Sequence, residues 1–162
     1  STILSHLVNS KADVVLAIDN SYSYHKHEID KKLDLVVTRK QFDSRYRKLK
    51  PSEITELVRI GKDIGLGNAD YEFIGLAYFS PRGVEVLRQI YQQAEADQSG
   101  VFHESVSFQK ASITDIIQEM IDRGFSVHGL EVNQGWMEIH TPADVEVAER
   151  EMGDTQSGHS KL

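Results

Sequence analysis

Apolar positions along the chain switch between helical and extended spacing. Ile3, Leu4, Leu7 and Val8 share one helical face. They lead into Asp13-Val-Val-Leu-Ala-Ile18, a continuous apolar run that predicts a strand buried on both faces. A helix feeding such a strand is half of a strand-helix-strand unit, and no strand precedes Ile3, so the pattern reads as a fold entered part-way. Leu33 to Thr38 predicts a second strand, Ile54 to Ile60 a third and Tyr71 to Phe79 a fourth. Ser80-Pro81 opens a helix, with serine as cap and proline in the first turn, and Val84, Leu87, Ile90, Tyr91 and Ala94 as its apolar stripe.

A second helix begins near Ser112. Ile113, Ile116, Ile117, Met120 and Ile121 lie on one side, and Gly124 is its stop. Phe125 to Val132 reads as a strand and Trp136 to His140 as a short one. Thr141-Pro142 opens the last helix, with Val145, Ala148 and Met152 inward. The expected boundaries are one domain over 1–153 and a flexible polar tail over 154–162. Strands and helices alternate without strict order, so the expected fold is α/β: a mixed, mainly parallel sheet flanked by helices. Such sheets place ligands beyond strand ends, which draws attention to Asp19–Tyr24 and Glu138–His140.

Composition narrows the chemistry. The 162 residues contain no cysteine, which removes disulfides, thiolate zinc sites and cysteine nucleophiles together. Lys and Arg total 18 against 25 Asp and Glu, a formal charge of −7. An acidic balance argues against a nucleic-acid binder. No apolar run has membrane-spanning length and no signal-peptide layout is present, so a cytoplasmic location is expected.

Several motifs have a structural explanation ready. Gly61-Lys-Asp-Ile-Gly65-Leu-Gly67 matches neither phosphate-loop pattern and reads as a turn using glycine at positive φ. His25 and His27 lack a third ligand of convincing spacing. Arg39, Lys40, Arg45, Arg47, Lys48 and Lys50, with Phe42 and Tyr46 between them, read as a solvated loop rather than an anion clamp. Asp115 and Asp144 stand three residues after Ser112 and Thr141, the spacing of a capping box. Glu138 and His140, two apart on the expected short strand, would share a face with Trp136, and spacing alone fits a metal-capable pair and a solvent-facing strand end equally.

Gly135-Trp-Met-Glu-Ile-His-Thr-Pro-Ala-Asp144, with Val145 and Ala148 after it, resembles the closing signature of nucleotidyltransferases of the glycosyltransferase-A-like fold. Val14 to Tyr22 resembles that family's central strand and following turn, Glu72 to Ser80 the strand beside its acceptor pocket, and Ser112 to Gly124 the helix before its final strand. The subgroup most similar is the cytidylyltransferases acting on phosphocholine or small phosphonates, some of them fused behind a phosphoenolpyruvate phosphomutase.

The resemblance implies transfer of CMP from CTP to a small phosphate or phosphonate. It implies magnesium held by Glu138 with His140 beside it, and Glu72, Asp115, Trp136 and Asp19 facing substrate. His140 departs from the aspartate usual at its position. The family's glycine-rich opening loop and early aspartate are absent, so the chain reads as the acceptor- and metal-side part of an incomplete nucleotidyltransferase fold, inactive alone. A bare sheet edge would then favour a homo-oligomer. The alternatives are a non-catalytic binding or dimerisation module of the same fold, and a fragment of a sugar-1-phosphate nucleotidyltransferase.

Overall fold

The computed structural model describes residues 5, 11–21, 32–39, 54–97, 100–133, 136, 137, 139 and 141–157, with 143 and 151–157 by backbone. The expected N-terminal helix, the His25/His27 pair, the basic cluster beyond Arg39, and Glu138 and His140 lie outside the described residues.

The elements run β1 (Val14–Asp19), β2 (Leu35–Thr38), β3 (Ile54–Gly61), β4 (Tyr71–Phe79), α1 (Pro81–Asp97), α2 (Ile113–Asp122), β5 (Val127–Val132) and α3 (Pro142–Ser157). The five strands close into a ring in the order β1-β4-β2-β3-β5. Of the pairings, β1/β5 is parallel, while β1/β4, β2/β4, β2/β3 and β3/β5 are antiparallel. The sheet is therefore mixed and mostly antiparallel, not mainly parallel. Long connections between β1 and β5 suit a parallel crossover, but β4 and β3 return antiparallel beside them. Each described strand has two neighbours, so the bare edge expected to drive self-association is not found among them.

β1 is buried at all six positions, as its unbroken apolar run demands. On one face Val14, Leu16 and Ile18 pack with Val36, Phe73 and Val127 and with Val86, Ile90, Ile117 and Met120 of the helices. On the other face Val15 packs with Ala12, Leu130 and Tyr78. Alternation places Asp19 on this second face, away from α1 and α2.

α1 begins where predicted, and the Gly83 N–H donates to Ser80 Oγ at 3.0 Å. Its buried side is Gly83, Val86 and Ile90, whereas Val84 and Tyr91 of the predicted stripe are exposed. Close approach sets the roll of the helix: a Cβ at Gly83 would stand 2.1 Å from the Asp13 carbonyl oxygen. Asp13 itself is buried and binds Arg82 at 3.1 Å and the Ser126 N–H at 3.0 Å, joining the starts of β1, α1 and β5.

Three smaller expectations need correction. Gly61 ends β3, but the positive-φ glycines among the described residues are Gly75, Gly100 and Gly124. Gly61 instead leaves room for Glu104, whose Oε2 accepts the Lys62 and Asp63 N–H groups at 2.6 and 3.1 Å. Trp136, Met137 and Ile139 belong to no strand, since the ring already gives β5 its two neighbours. The last helix runs to Ser157 and buries Ala148, while Val145, expected inward, is exposed.

Candidate functional site

Strand register assembles the site. Asp19 ends β1 and pairs with Glu72 at the start of β4. Glu72 pairs in turn with Leu35 of β2, and Asp19 with Val132 of β5. Opposed residues in a sheet share a face, so two carboxylates stand side by side between Leu35 and Val132. Both are buried, Asp19 at 0% and Glu72 at 6% exposure.

A bulge creates this pairing. Leu16 pairs with Ala77, but Ile18 pairs with Phe73, and the excess chain turns through Gly75 at φ 83°. Without that irregularity the Leu16–Ala77 register would bring Ile74, not Glu72, opposite Asp19.

Burying an ionised carboxylate is costly unless donors or cations face it. Asp19 accepts the Ser21 N–H on Oδ1 at 2.7 Å and the Trp136 indole N–H on Oδ2 at 2.5 Å. The first closes a tight turn after β1. The second reaches across 117 positions of sequence and lays the indole, itself half-buried, beside the carboxylate. Next to this group, Glu131 Oε1 accepts from Asn20 Nδ2 at 2.6 Å and Oε2 accepts from the Tyr71 hydroxyl at 3.3 Å. Glu131 is in register with Ile18, on the opposite face, so it braces the turn that carries Asp19 from the other side.

The structure thus brings Asp19, Glu72 and Trp136 together. Asp115 sits elsewhere, in the capping box of α2 on the helical side of the sheet. Its carboxylate accepts from Ser112 N at 2.8 Å, Ser112 Oγ and Ser105 Oγ at 2.9 Å, and Glu104 N at 3.0 Å. Burial alone would push this carboxyl up; the donors from Ser112, Ser105 and Glu104 outweigh it and hold the group below its usual range. Asp144 is capped likewise, receiving the Thr141 N–H at 2.7 Å. Sequence reasoning missed Glu131, whose signal was a lone acid inside an apolar strand.

Chemically, two buried carboxylates beside an indole can receive a cationic group. A metal ion of the hard, oxygen-preferring kind or an alkylammonium would be met by the same carboxylate oxygens.

No family model and no curated protein matches the chain. Solved structures do. The inositol-1-phosphate CTP transferase from T. maritima superposes with a TM-score of 0.54 at 16% identity, over 99% of this chain and 52% of that one. A nucleoside-diphosphate-sugar pyrophosphorylase from Vibrio cholerae RC9 superposes with a TM-score of 0.51 at 12% identity, over 93% of this chain and 49% of that one. The chain therefore has a nucleotidyltransferase-like mixed α/β fold. It spans about half the length of the solved structures it matches. Among the described residues no helix is long and apolar enough to cross a membrane.

Proposed function

We propose that this chain carries the acceptor-binding side of a nucleotidyltransferase site, with Asp19, Glu72 and Trp136 receiving the cationic part of a small phosphorylated acceptor. The observation that carries this is the buried Asp19–Glu72 pair at the end of β1, on a nucleotidyltransferase-like fold. In the reaction, an acceptor phosphate or phosphonate oxygen bonds to the α-phosphorus of CTP. The bond from that phosphorus to the bridging oxygen breaks and pyrophosphate leaves. Such a transfer needs positioning and charge neutralisation more than covalent catalysis.

Each residue has a defined task. The carboxylates attract the ammonium of a phosphocholine-like acceptor and the indole offers it an aromatic face. Asp19 is held in place by Ser21 and Trp136, so little ordering remains to be done on binding. Magnesium, when bound, would neutralise charge on the transferring phosphates. The resemblance of the closing signature assigns such an ion to Glu138 with His140 beside it, which leaves Asp19 and Glu72 to the ammonium.

Calorimetric titration with phosphocholine and with glycerol phosphate tests the assignment, because the two share a phosphate and differ in the ammonium. Saturable binding of phosphocholine alone, weakened at least about tenfold in Glu72→Gln, is expected from loss of a paired charge. Equal binding of both ligands, or an unchanged affinity in Glu72→Gln, would remove the carboxylate pair from the reading.

A second reading, a non-catalytic docking module, draws on Met137, Ile139, Val145 and Val147, which are exposed close together in sequence. Light scattering over a dilution series tests it in the form of self-association: a mass that rises with concentration supports it and a constant monomer mass counts against it.

A further inference from the structure

On the helical side of the sheet, away from the Asp19–Glu72 pair, a second constellation has no part in the chemistry above. His103 lies in the segment between α1 and α2, and Glu119 and Asp122 lie three apart on α2. That spacing puts both carboxylates on one helix face. One ligand atom from each of the three residues lies within 4.8 Å of the other two. His103 has φ 50°, the sole non-glycine residue at positive φ among the described residues, and its ring meets α2 at Glu119.

How the carboxylates are held is the telling feature. Glu119 gives Oε1 to Arg123 Nε at 2.7 Å and turns Oε2 toward His103 Nε2, also at 2.7 Å. Asp122 gives Oδ1 to Gln118 Nε2 at 2.7 Å and turns Oδ2 toward His103 Nδ1 at 3.9 Å. Each acid thus has one oxygen fixed by an outer donor and the other aimed at the imidazole. Outer donors of this kind orient ligands at metal centres. Glu119 also lines a cleft of about 350 Å³ between α1, the 100–110 segment and α2, with Phe102, Phe108 and Arg123 among its walls. The cleft gives solvent or a ligand access to Glu119.

A charge network without any metal would use the same residues: protonated His103 between two acids, with Arg123 balancing them. That network accounts for the close contact between His103 and Glu119 and for a looser ion pair between His103 and Asp122 at 3.9 Å. An ion among the three donors would use the Asp122 oxygen as a direct ligand rather than as a distant counter-charge.

We infer that His103, Glu119 and Asp122 form a binding site for a divalent first-row transition-metal ion, completed by water from the cleft. One nitrogen and two carboxylate oxygens suit zinc and its neighbours, while magnesium prefers oxygen alone. This inference does not rest on the nucleotidyltransferase reading.

The test is calorimetric titration of the full chain with zinc chloride, in excess magnesium, with proton NMR of the histidine rings in parallel. One zinc per chain is expected, with the His103 ring resonances moving on binding. Affinity should fall at least about tenfold in His103→Ala. Other histidines are present, seven in all, so zinc heat that persists unchanged in His103→Ala overturns the site, as does no zinc binding in millimolar metal. Circular dichroism checks the fold of that variant. If it does not fold, Asp122→Asn decides, because Asp122 is exposed and tolerates change: weakened zinc binding upholds the site and unchanged binding overturns it.

Discussion

Replacing Trp136 by phenylalanine removes one donor from the candidate site and keeps an aromatic ring. The lost contact is the indole N–H to Asp19 Oδ2, at 2.5 Å, with an acceptor that is fully buried. A hydrogen bond to a charged group contributes roughly 1.5–3 kcal/mol, and losing one partner exposes the other's desolvation cost. Water cannot reach Asp19 without local rearrangement, although the half-exposed position of residue 136 allows some relief. A loss of about 2 kcal/mol follows. With a urea dependence of roughly 1–3 kcal/mol per molar for a small domain, the unfolding midpoint should fall by about 1 M. Far-UV circular dichroism is the right probe, since Trp136 is the one tryptophan and the variant has no indole emission. The cycle with Asp19→Asn isolates the pair, and a coupling of about 1–2 kcal/mol is expected. A midpoint within error of wild type for Trp136→Phe, or full additivity with Asp19→Asn, would refute the claim that this contact holds the site together.

Gly83→Ala should destabilise by about 1–3 kcal/mol despite alanine's better helix propensity, because its Cβ meets backbone at Asp13. Gly67→Ala, with nothing within 4 Å, is the control, and equal losses at both positions would defeat the packing argument. Acid stability follows from Asp115 and Glu119. At Glu119, as at Asp115, burial alone would push the carboxyl up, and hydrogen bonds and charge from Arg123 and His103 outweigh it. A carboxyl whose pKa is depressed on folding contributes stability above its unfolded value, near 4, and loses it as pH falls through the folded value. The urea midpoint of wild type should therefore drop between about pH 5 and pH 2, and Asp115→Asn should be less stable at pH 7 with a shallower drop. A parallel drop in both proteins would exclude Asp115 as a source.

Much of this was legible in the residues. The unbroken apolar run at 14–18 marked the central strand, Ser80-Pro81 marked the start of α1, and the Ser112/Asp115 and Thr141/Asp144 spacings marked two capping boxes that the structure shows. Strand direction was not legible, because hydropathy says that a strand is buried but not which way its neighbour runs. The roll of α1 was misplaced because its closest contact is made by Gly83, which carries no hydrophobic signal. In the site, Asp19 could be picked out as the residue ending a buried strand. Its pairing with Glu72 depends on a bulge at Gly75, and its contact with Trp136 spans 117 residues; neither leaves a periodic trace. Glu119 and Asp122 meet His103 only through the fold, a contact that no spacing in the sequence announces.

The measurement closest to the central claim is a titration with phosphocholine in the presence of magnesium, followed by the emission of Trp136. The indole touches Asp19 and is the chain's sole tryptophan, so its signal comes from the candidate site itself. A saturable change in wild type that disappears in Asp19→Asn and is not produced by glycerol phosphate is the predicted result. No change at millimolar ligand, or the same change in Asp19→Asn, would contradict the assignment of this carboxylate pair as an acceptor site.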